Sequence, residues 1–227
     1  MTVAPGLAPV VEPVALFGHW ICPFSVRVEF ALAQLGYEYE IVDVPPTAAR
    51  PKGFVVPEEF LEHSPRHEIP MIREGGRYLA DSLPILERLH GARGGCTPEQ
   101  VEAARWVDRT VFRPMIGVYY GTDPQAIAAA SDALTGAFGA VAERLGDREW
   151  LVGDAPSIAE AAIVPVYVRL AGLRALGFTG DVPATVLAHA DRCLALPGGR
   201  VAAWTDEQQA EFVRRFTTYR TRRAAAD

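Results

Sequence analysis

One cysteine stands where a helix is expected to begin, and it is the first candidate for chemistry. Cys22 follows the apolar run 14–17 and a glycine-containing turn, and it precedes Pro23. Proline favours the first helical position, because its missing N–H would have no partner there and its φ is already helical. Cys22 would then cap the helix, where free N–H groups and the helix dipole favour the thiolate over the thiol. The pattern predicts a nucleophilic cysteine, with a buried structural cysteine as the alternative.

Ser25, the other two cysteines and the histidines limit the reactions that this site could support. Ser25 lies three residues after Cys22, so the site lacks the second cysteine of a CxxC pair and would use a single sulfur. Cys96 and Cys193 have neither a capping proline nor a basic neighbour pattern, so we expect both to be bystanders. The five histidines show no metal-ligand spacing, and no metal site is predicted.

Two short motifs further along are suited to binding. Asp81 and Ser82 precede a predicted helix at residues 83–91 and offer a hydroxyl and free backbone N–H groups, which suit a carboxylate. An ordinary helix cap is the alternative role for Ser82. The pair Ile69-Pro70 opens a short predicted strand, and an X–Pro bond is the one kind of peptide bond that is commonly cis.

These residues would be positioned by an α/β half. Patterning predicts strands at residues 14–17, 37–44, 69–72 and 77–79 and helices at 24–35, 58–62 and 83–91. The order is a parallel pair with a right-handed crossover, followed by a hairpin and a helix. Residues 45–57 contain four prolines and are predicted to form a surface loop.

Everything after the glycine-rich linker 92–97 is predicted to be helical. Helices are expected at 98–120, 123–145, 183–194 and 206–223, with one more opened by a capping box, Ser157-Ile-Ala-Glu160. Pro165 should kink that helix. The predicted organisation is a loose lead-in at 1–13 rather than a signal peptide, an α/β domain at 14–91, the linker, and a helical domain at 98–227.

Composition excludes several classes of protein. The chain has 227 residues, 49% of them apolar, which suffices for one large or two small globular domains. No apolar run reaches the roughly 18–20 residues of a membrane span. The net charge of −6 argues against a nucleic-acid binder. Widely spaced cysteines indicate a reducing, cytoplasmic setting.

The order of these motifs resembles the cytosolic glutathione transferases over about residues 14–205. Cys-Pro-Phe-Ser-x-Arg at residues 22–27 is most similar to the omega-class transferases, the plant dehydroascorbate reductases and the chloride intracellular channel proteins. The resemblance implies a thioredoxin-like domain (βαβ-ββα) followed by an α-helical bundle domain. It also implies glutathione, or another low-molecular-weight thiol, as co-substrate, and a homodimer. The missing long apolar segment disfavours the channel-like relatives.

The resemblance assigns roles to residues. Cys22 would be the nucleophile, and the backbone of Ile69, before a cis Pro70, would pair with the extended tripeptide. Ser82 and Asp81 would hold the carboxylate and the ammonium of its γ-glutamyl end. The glutathione-binding set is then Phe24, Ile69, Pro70, Asp81 and Ser82.

Two positions depart from the family pattern. The lysine that omega-like proteins place before the Pro-Glu pair is Val56 here, so Lys52 or His67 would have to hold the glycyl end of glutathione. Asp81 replaces the commoner glutamate and is one methylene shorter. The thiol ligand would therefore be held loosely, or would be a different thiol.

The second substrate is expected against the helix at residues 98–120. One face of this helix carries Arg105, Arg109, Phe112, Arg113, Ile116 and Tyr120. In the family fold this face borders the cleft and the dimer seam, so it is either a pocket for an anionic or aromatic substrate or a solvated or subunit-contact face. The predicted substrate pocket is Trp20, Arg109, Phe112, Arg113 and Tyr120.

Three functions are consistent with these residues. The first is reduction or thiol transfer in which Cys22 forms a mixed disulfide that a second glutathione releases. The second is conjugation or isomerisation of an electrophilic small molecule with bound thiol. The third is a non-catalytic binding module, because a common fold does not fix function.

Overall fold

A computed structural model describes residues 13–224, and residues 1–12 and 225–227, with nearly all of the expected lead-in, lie outside the described residues. Its first half is a four-stranded mixed sheet with the order β2-β1-β3-β4. The strands are β1 (Val14–Gly18), β2 (Tyr39–Asp43), β3 (Met71–Glu74) and β4 (Arg77–Ala80). The helices are α1 (Pro23–Gln34), α2 (Glu58–His63) and α3 (Ser82–Ala92). Strand β1 is parallel to β2 and antiparallel to β3, which confirms the expected thioredoxin-like βαβ-ββα order.

Strand β1 is the centre of this half, and all five of its residues are buried. Alternate side chains point to opposite faces of a strand. Val14 and Leu16 accordingly join the large core that includes α1 and α3, whereas Ala15 and Phe17 pack against α2 in a smaller core. The strand must therefore be apolar on both faces, as its sequence is.

The second half is helical, as expected. Its helices are α4 (Pro98–Val107), α5 (Arg113–Tyr120), α6 (Pro124–Leu145), α7 (Ile158–Val168), α8 (Leu170–Ala175), α9 (Ala184–Ala195), α10 (Pro197–Ala202) and α11 (Asp206–Ala224). Helix α7 is buried along its whole length, with Pro165 inside it and the predicted capping box of Ser157 and Glu160 at its start. The large core runs from β1 and α1 into α7 without interruption.

The helix predicted at 98–120 is interrupted by a π-helical turn, Asp108–Phe112, between α4 and α5. Pro114 lies at the start of α5 and has no N–H to donate to the carbonyl of Thr110, so the normal α-helical bonding cannot continue there. The wider π-helical turn accommodates the hydrogen bond that Pro114 cannot make, and it contains one residue more than an α-helical turn. One extra residue rotates the rest of the helix by about 100°.

Helix α10 is also absent from the sequence prediction, because two glycines follow its first residue. Close packing explains them: a Cβ on Gly198 would lie only 2.3 Å from the carbonyl oxygen of Phe30 in α1. Between residues 13 and 224, no helix combines the length and the hydropathy that crossing a membrane requires.

Candidate functional site

Cys22 lies at the mouth of α1 as the sequence predicts. It is the N-cap residue with extended backbone angles, Pro23 follows as the first helical residue, and the Cys22 side chain makes no capping hydrogen bond. Its carbonyl accepts from the N–H groups of Ser25 and Val26, at 3.1 and 3.0 Å. The side chain is 7% exposed and lines a large cavity. The sulfur is therefore sheltered but reachable.

The turn before Cys22 is fixed from both sides. The Ile21 N–H donates to His19 Nδ1 at 3.1 Å, and the Ile21 carbonyl accepts from Arg169 Nη2 at 2.8 Å. Burial lowers the pKa of His19 below its usual value, with Asp43 opposing, which agrees with a neutral ring that accepts a hydrogen bond. The Cys22 position is thus set by His19, which directly follows β1, and by Arg169, which directly follows α7.

Arg169 is a fully buried cation beneath this turn. Its Nη1 donates to the Pro165 carbonyl at 2.8 Å, and its guanidinium lies 4.5 Å from the ring centroid of Trp204. Among residues 13–224 its polar partners are two carbonyls rather than a carboxylate. Burial lowers the pKa of Arg169 to about 10, so it stays charged at neutral pH. Sequence patterning could not identify it, because nothing local marks this arginine.

The cavity beside Cys22 has a volume of about 790 Å³. It lies between the α/β half and the pair formed by α5 and α11. Burial raises the pKa of Tyr119 and Tyr120, and charge on Cys22 raises both further. Their hydroxyls are therefore neutral donors at neutral pH. The residues that line the cavity are Ile21, Cys22, Pro23, Phe24, Pro46, Thr47, Ala49, Arg50, His67, Glu68, Ile69, Ile116, Tyr119, Tyr120, Arg214, Arg215, Phe216, Thr218, Tyr219, Arg222 and Arg223.

Ser82 is the first residue of α3, and its buried hydroxyl oxygen accepts a hydrogen bond from an arginine side chain. Arg27 Nη2 donates to Ser82 Oγ at 2.6 Å, while Arg27 Nη1 pairs with Asp108 at 2.5 Å. The guanidinium lies 5.1 and 5.3 Å from the ring centroids of Phe24 and Phe112. Because Ser82 Oγ accepts from Arg27, its own hydrogen is free for another acceptor. A helix N-terminus, a free hydroxyl hydrogen and a buried cation together favour an anion.

Asp81 occupies the residue before α3 with a φ of 69°, a conformation that few side chains other than Asn and Asp adopt. Its carboxylate is exposed, makes no capping hydrogen bond and forms an ion pair with Arg66. Arg66 also binds Glu68 at 2.9 Å. Asp81 is thus held away from the helix axis and facing solvent.

Some of the remaining predicted thiol-binding residues line the cavity and others do not. The Ile69-Pro70 bond is cis, as the resemblance implies, and Ile69 and His67 both line the cavity. Lys52 is exposed and does not line it. Arg50 does, with its guanidinium bound to the Pro45 carbonyl at 3.3 and 3.4 Å. Sequence reasoning missed Arg50, although it is the other basic residue of the same proline-rich loop.

Four of the five predicted substrate-pocket residues lie outside the cavity, and only Tyr120 lines it. Arg109 pairs with Glu102 at 2.5 Å, and Arg113 is exposed. Phe112 is buried behind Phe24, with ring centroids 5.4 Å apart. The π-helical turn explains why Ile116 and Tyr120 line the cavity whereas Arg109, Phe112 and Arg113 do not, because it rotates the rest of the helix relative to the predicted face.

Trp20, the fourth of these residues, faces a different space. It lines a second cavity of about 240 Å³, together with Glu29 and other residues. Its ring packs edge-on against Trp204, with centroids 5.3 Å apart. Trp20 therefore shapes the packing behind the turn.

Known proteins resemble the chain in part of its sequence and in its whole fold. Residues 21–92 match the family model described as glutathione S-transferase, N-terminal domain. Rice GST1 (OsGSTU1) in complex with glutathione is 20% identical, over 92% of this chain and 97% of that one, with a TM-score of 0.77. The Tau-class transferase MiGSTU of mango, Mangifera indica, is 18% identical over 89% and 97%, with a TM-score of 0.71.

Glutathione transferase Omega 3C from Trametes versicolor is 16% identical over 88% of this chain and 91% of that one, with a TM-score of 0.71. No curated protein matches the chain. At these identities the solved structures establish the fold. The chain therefore has the two-part fold of the glutathione transferases, and its residues 21–92 are similar in sequence to their N-terminal domain.

Proposed function

We propose that the protein is a glutathione-dependent enzyme, of the omega-class or dehydroascorbate-reductase-like type, in which Cys22 is the nucleophile of thiol transfer. One observation carries the proposal: a cysteine caps a helix at the edge of a cavity large enough for two small molecules. The volume of about 790 Å³ lies within the range of about 300–1,000 Å³ of ligand pockets. A glutathione complex of rice GST1, which shares this fold, supports glutathione as co-substrate. We take the working form to be a cytoplasmic homodimer.

Glutathione would lie along the α/β side of the cavity, and its γ-glutamyl end would extend beyond the lining residues to Asp81 and Ser82, which do not line the cavity. The Ile69 backbone would pair with the extended tripeptide, as a short added strand. The Ser82 hydroxyl would donate its free hydrogen to the γ-glutamyl carboxylate, and the exposed Asp81 carboxylate would meet the ammonium. At the other end Arg50 or His67, which both line the cavity, would meet the glycyl carboxylate in place of the lysine replaced by Val56.

The chemistry would then proceed in two exchanges. The Cys22 thiolate attacks the glutathionyl sulfur of a mixed disulfide, forms a Cys22–glutathione disulfide and releases the other sulfur as a thiolate. A second glutathione thiolate attacks the glutathionyl sulfur, regenerates the Cys22 thiolate and leaves as oxidised glutathione. The N-terminus of α1 and the Arg169 guanidinium, which is bound to the neighbouring Ile21 carbonyl, would place positive charge near the reacting sulfur in both exchanges.

A second candidate function is conjugation of an electrophile by bound glutathione. Tyr119 and Tyr120 favour it, because both line the cavity together with Cys22 and burial raises the pKa of each hydroxyl, which therefore stays protonated. Such a hydroxyl could donate to the sulfur of bound glutathione and hold it as a thiolate. This route needs no covalent bond to Cys22.

Substitution of Cys22 separates the two functions. Cys22→Ser and Cys22→Ala would be assayed with glutathione and either a mixed-disulfide substrate or a chlorinated aromatic electrophile. We expect the wild type to favour the disulfide and both variants to lose that activity. Activity on the electrophile alone, unimpaired in Cys22→Ser, would instead establish conjugation. No activity and no thiol binding would indicate a non-catalytic module.

A further inference from the structure

The wall of the cavity opposite the thiol-binding side is aromatic. Tyr119 and Tyr120 of α5 and Phe216 and Tyr219 of α11 all line it. Their rings support one another: the centroid of Phe216 lies 4.5 Å from that of Tyr119 and 5.0 Å from that of Tyr120, and Tyr120 meets Tyr219 edge-on at 5.2 Å. Such a wall favours a planar, aromatic ligand.

The rim of the cavity is basic. Among residues 13–224, five arginines line it, whereas Glu68 is the one acidic lining residue. The Glu68 carboxylate is already paired with Arg66. The lining arginines are Arg50, Arg214, Arg215, Arg222 and Arg223.

These arginines differ in the hydrogen-bonding and ion-pair partners of their guanidinium groups. Arg214 and Arg215 share Glu211, and Arg215 Nη1 also donates to the Ala49 carbonyl at 2.7 Å. Between residues 13 and 224, no carboxylate pairs with Arg222 or Arg223 at the exposed end of α11. The helix dipole stabilises a cation at a helix C-terminus, but this interaction leaves the guanidinium N–H groups available as donors. Two arginines beside an aromatic wall suit a planar carboxylate.

We infer that the second substrate is an aromatic compound that carries an anionic group, with its ring against the aromatic wall that α5 and α11 form together and its charge at Arg222 and Arg223. The inference rests on the proposed function for the reacting bond. In thiol transfer the substrate would be a glutathionyl aryl disulfide. Cys22 takes the glutathionyl group, and the aryl thiolate leaves from the aromatic wall.

The experiment compares two isosteric substrates, the mixed disulfides of glutathione with 4-mercaptobenzoate and with 4-mercaptobenzamide. Each kcat/KM is divided by the uncatalysed rate with glutathione, because the two leaving thiols differ in reactivity. We expect the corrected kcat/KM to be about tenfold higher for the carboxylate, the lower end for a hydrogen bond to a charged group. The preference should shrink as ionic strength rises.

The variant Arg222→Gln/Arg223→Gln should remove the preference, because it lowers the corrected kcat/KM of the carboxylate about tenfold more than that of the amide. The control Arg77→Gln/Arg200→Gln makes the same charge change at exposed arginines that do not line the cavity, and it should keep the preference. Melting curves of both variants show whether the end of α11 is still folded. An unchanged preference in the first variant, or none in the wild type, would overturn the inference.

Binding separates this inference from the proposed function. Calorimetry with 4-(methylthio)benzoate and its amide, in the presence of glutathione, needs no reaction at Cys22. A tighter carboxylate complex that weakens in Arg222→Gln/Arg223→Gln supports the inference even if neither disulfide is turned over. Equal affinities for the two probes would refute it even if thiol transfer is efficient.

Discussion

Replacing Ser82 by alanine should destabilise the fold as well as the thiol site. From sequence alone the change would weaken glutathione binding with little effect on stability. The structure alters that expectation, because Ser82 Oγ accepts from Arg27 Nη2 at 2.6 Å and Arg27 is only 2% exposed. Arg27 Nε already has no partner among the described residues. In Ser82→Ala the almost fully buried guanidinium would keep Asp108 as its one hydrogen-bonding partner among the described residues, with Nη2 held only by a long bond of 3.4 Å.

The expected size follows from that contact. A hydrogen bond to a charged group contributes about 1.5–3 kcal/mol, and an unmet charged donor costs at least as much. For a chain of this length each kcal/mol shifts the melting temperature by about 2–4 °C. We therefore expect Ser82→Ala to melt about 3–12 °C below the wild type. Glutathione binding, measured by calorimetry well below both transitions, should weaken as well.

A double-mutant cycle tests the cause. Arg27→Met removes the charge that needs the hydroxyl, so Ser82→Ala should cost much less in that background. Differential scanning calorimetry of the four proteins gives the coupling. A melting temperature of Ser82→Ala within about 1 °C of the wild type, or equal losses in both backgrounds, would refute the reasoning.

Two further changes test buried carboxyl groups. Burial raises the pKa of Glu29 to about 7 from its ordinary 4.5, so its protonated form contributes stability that is fully present below pH 4.5 and lost as the pH rises through about 7. In urea titrations, Glu29→Gln should therefore raise the unfolding free energy by up to about 3 kcal/mol at pH 8 and change it little at pH 4. An equal effect at the two pH values would contradict this explanation. Glu160 is fully buried and accepts from the N–H groups of Leu151 and Ser157 at 2.8 and 2.7 Å. Glu160→Ala should lower the unfolding free energy by about 3–5 kcal/mol, whereas the exposed control Glu99→Ala should lose almost nothing. Similar losses in the two variants would show that the capping contacts contribute little.

The parts of the fold that could be predicted depend on short-range signals. Cys22-Pro23 at a helix start and the capping box from Ser157 to Glu160 each act within one helical turn, and both are in place. The apolar run of β1 and the turn at Gly75 and Gly76 are equally local signals. Where adjacent residues determine the geometry, the prediction is correct.

The errors arise where distant contacts or register decide. The pocket face was predicted from an unbroken α-helix, and a single π-helical turn before Arg113 displaced it. Nothing local marks Arg222 and Arg223 as cavity residues, because the sequence does not say what the end of α11 packs against. Finding Arg50 rather than Lys52 at the cavity required the path of a proline-rich loop, which residue types do not specify.

The hydrogen bond from Arg169 to the Ile21 carbonyl spans 148 positions of the chain. The residue next to Cys22 is thus fastened by a side chain that follows α7, and Gly198 of α10 lies directly against the backbone of α1. The boundary near residue 92 is therefore a poor site for recombination. A chimera that joins this α/β half to the helical half of another protein with this fold would need an arginine that reaches the same carbonyl and a glycine at the same crossing.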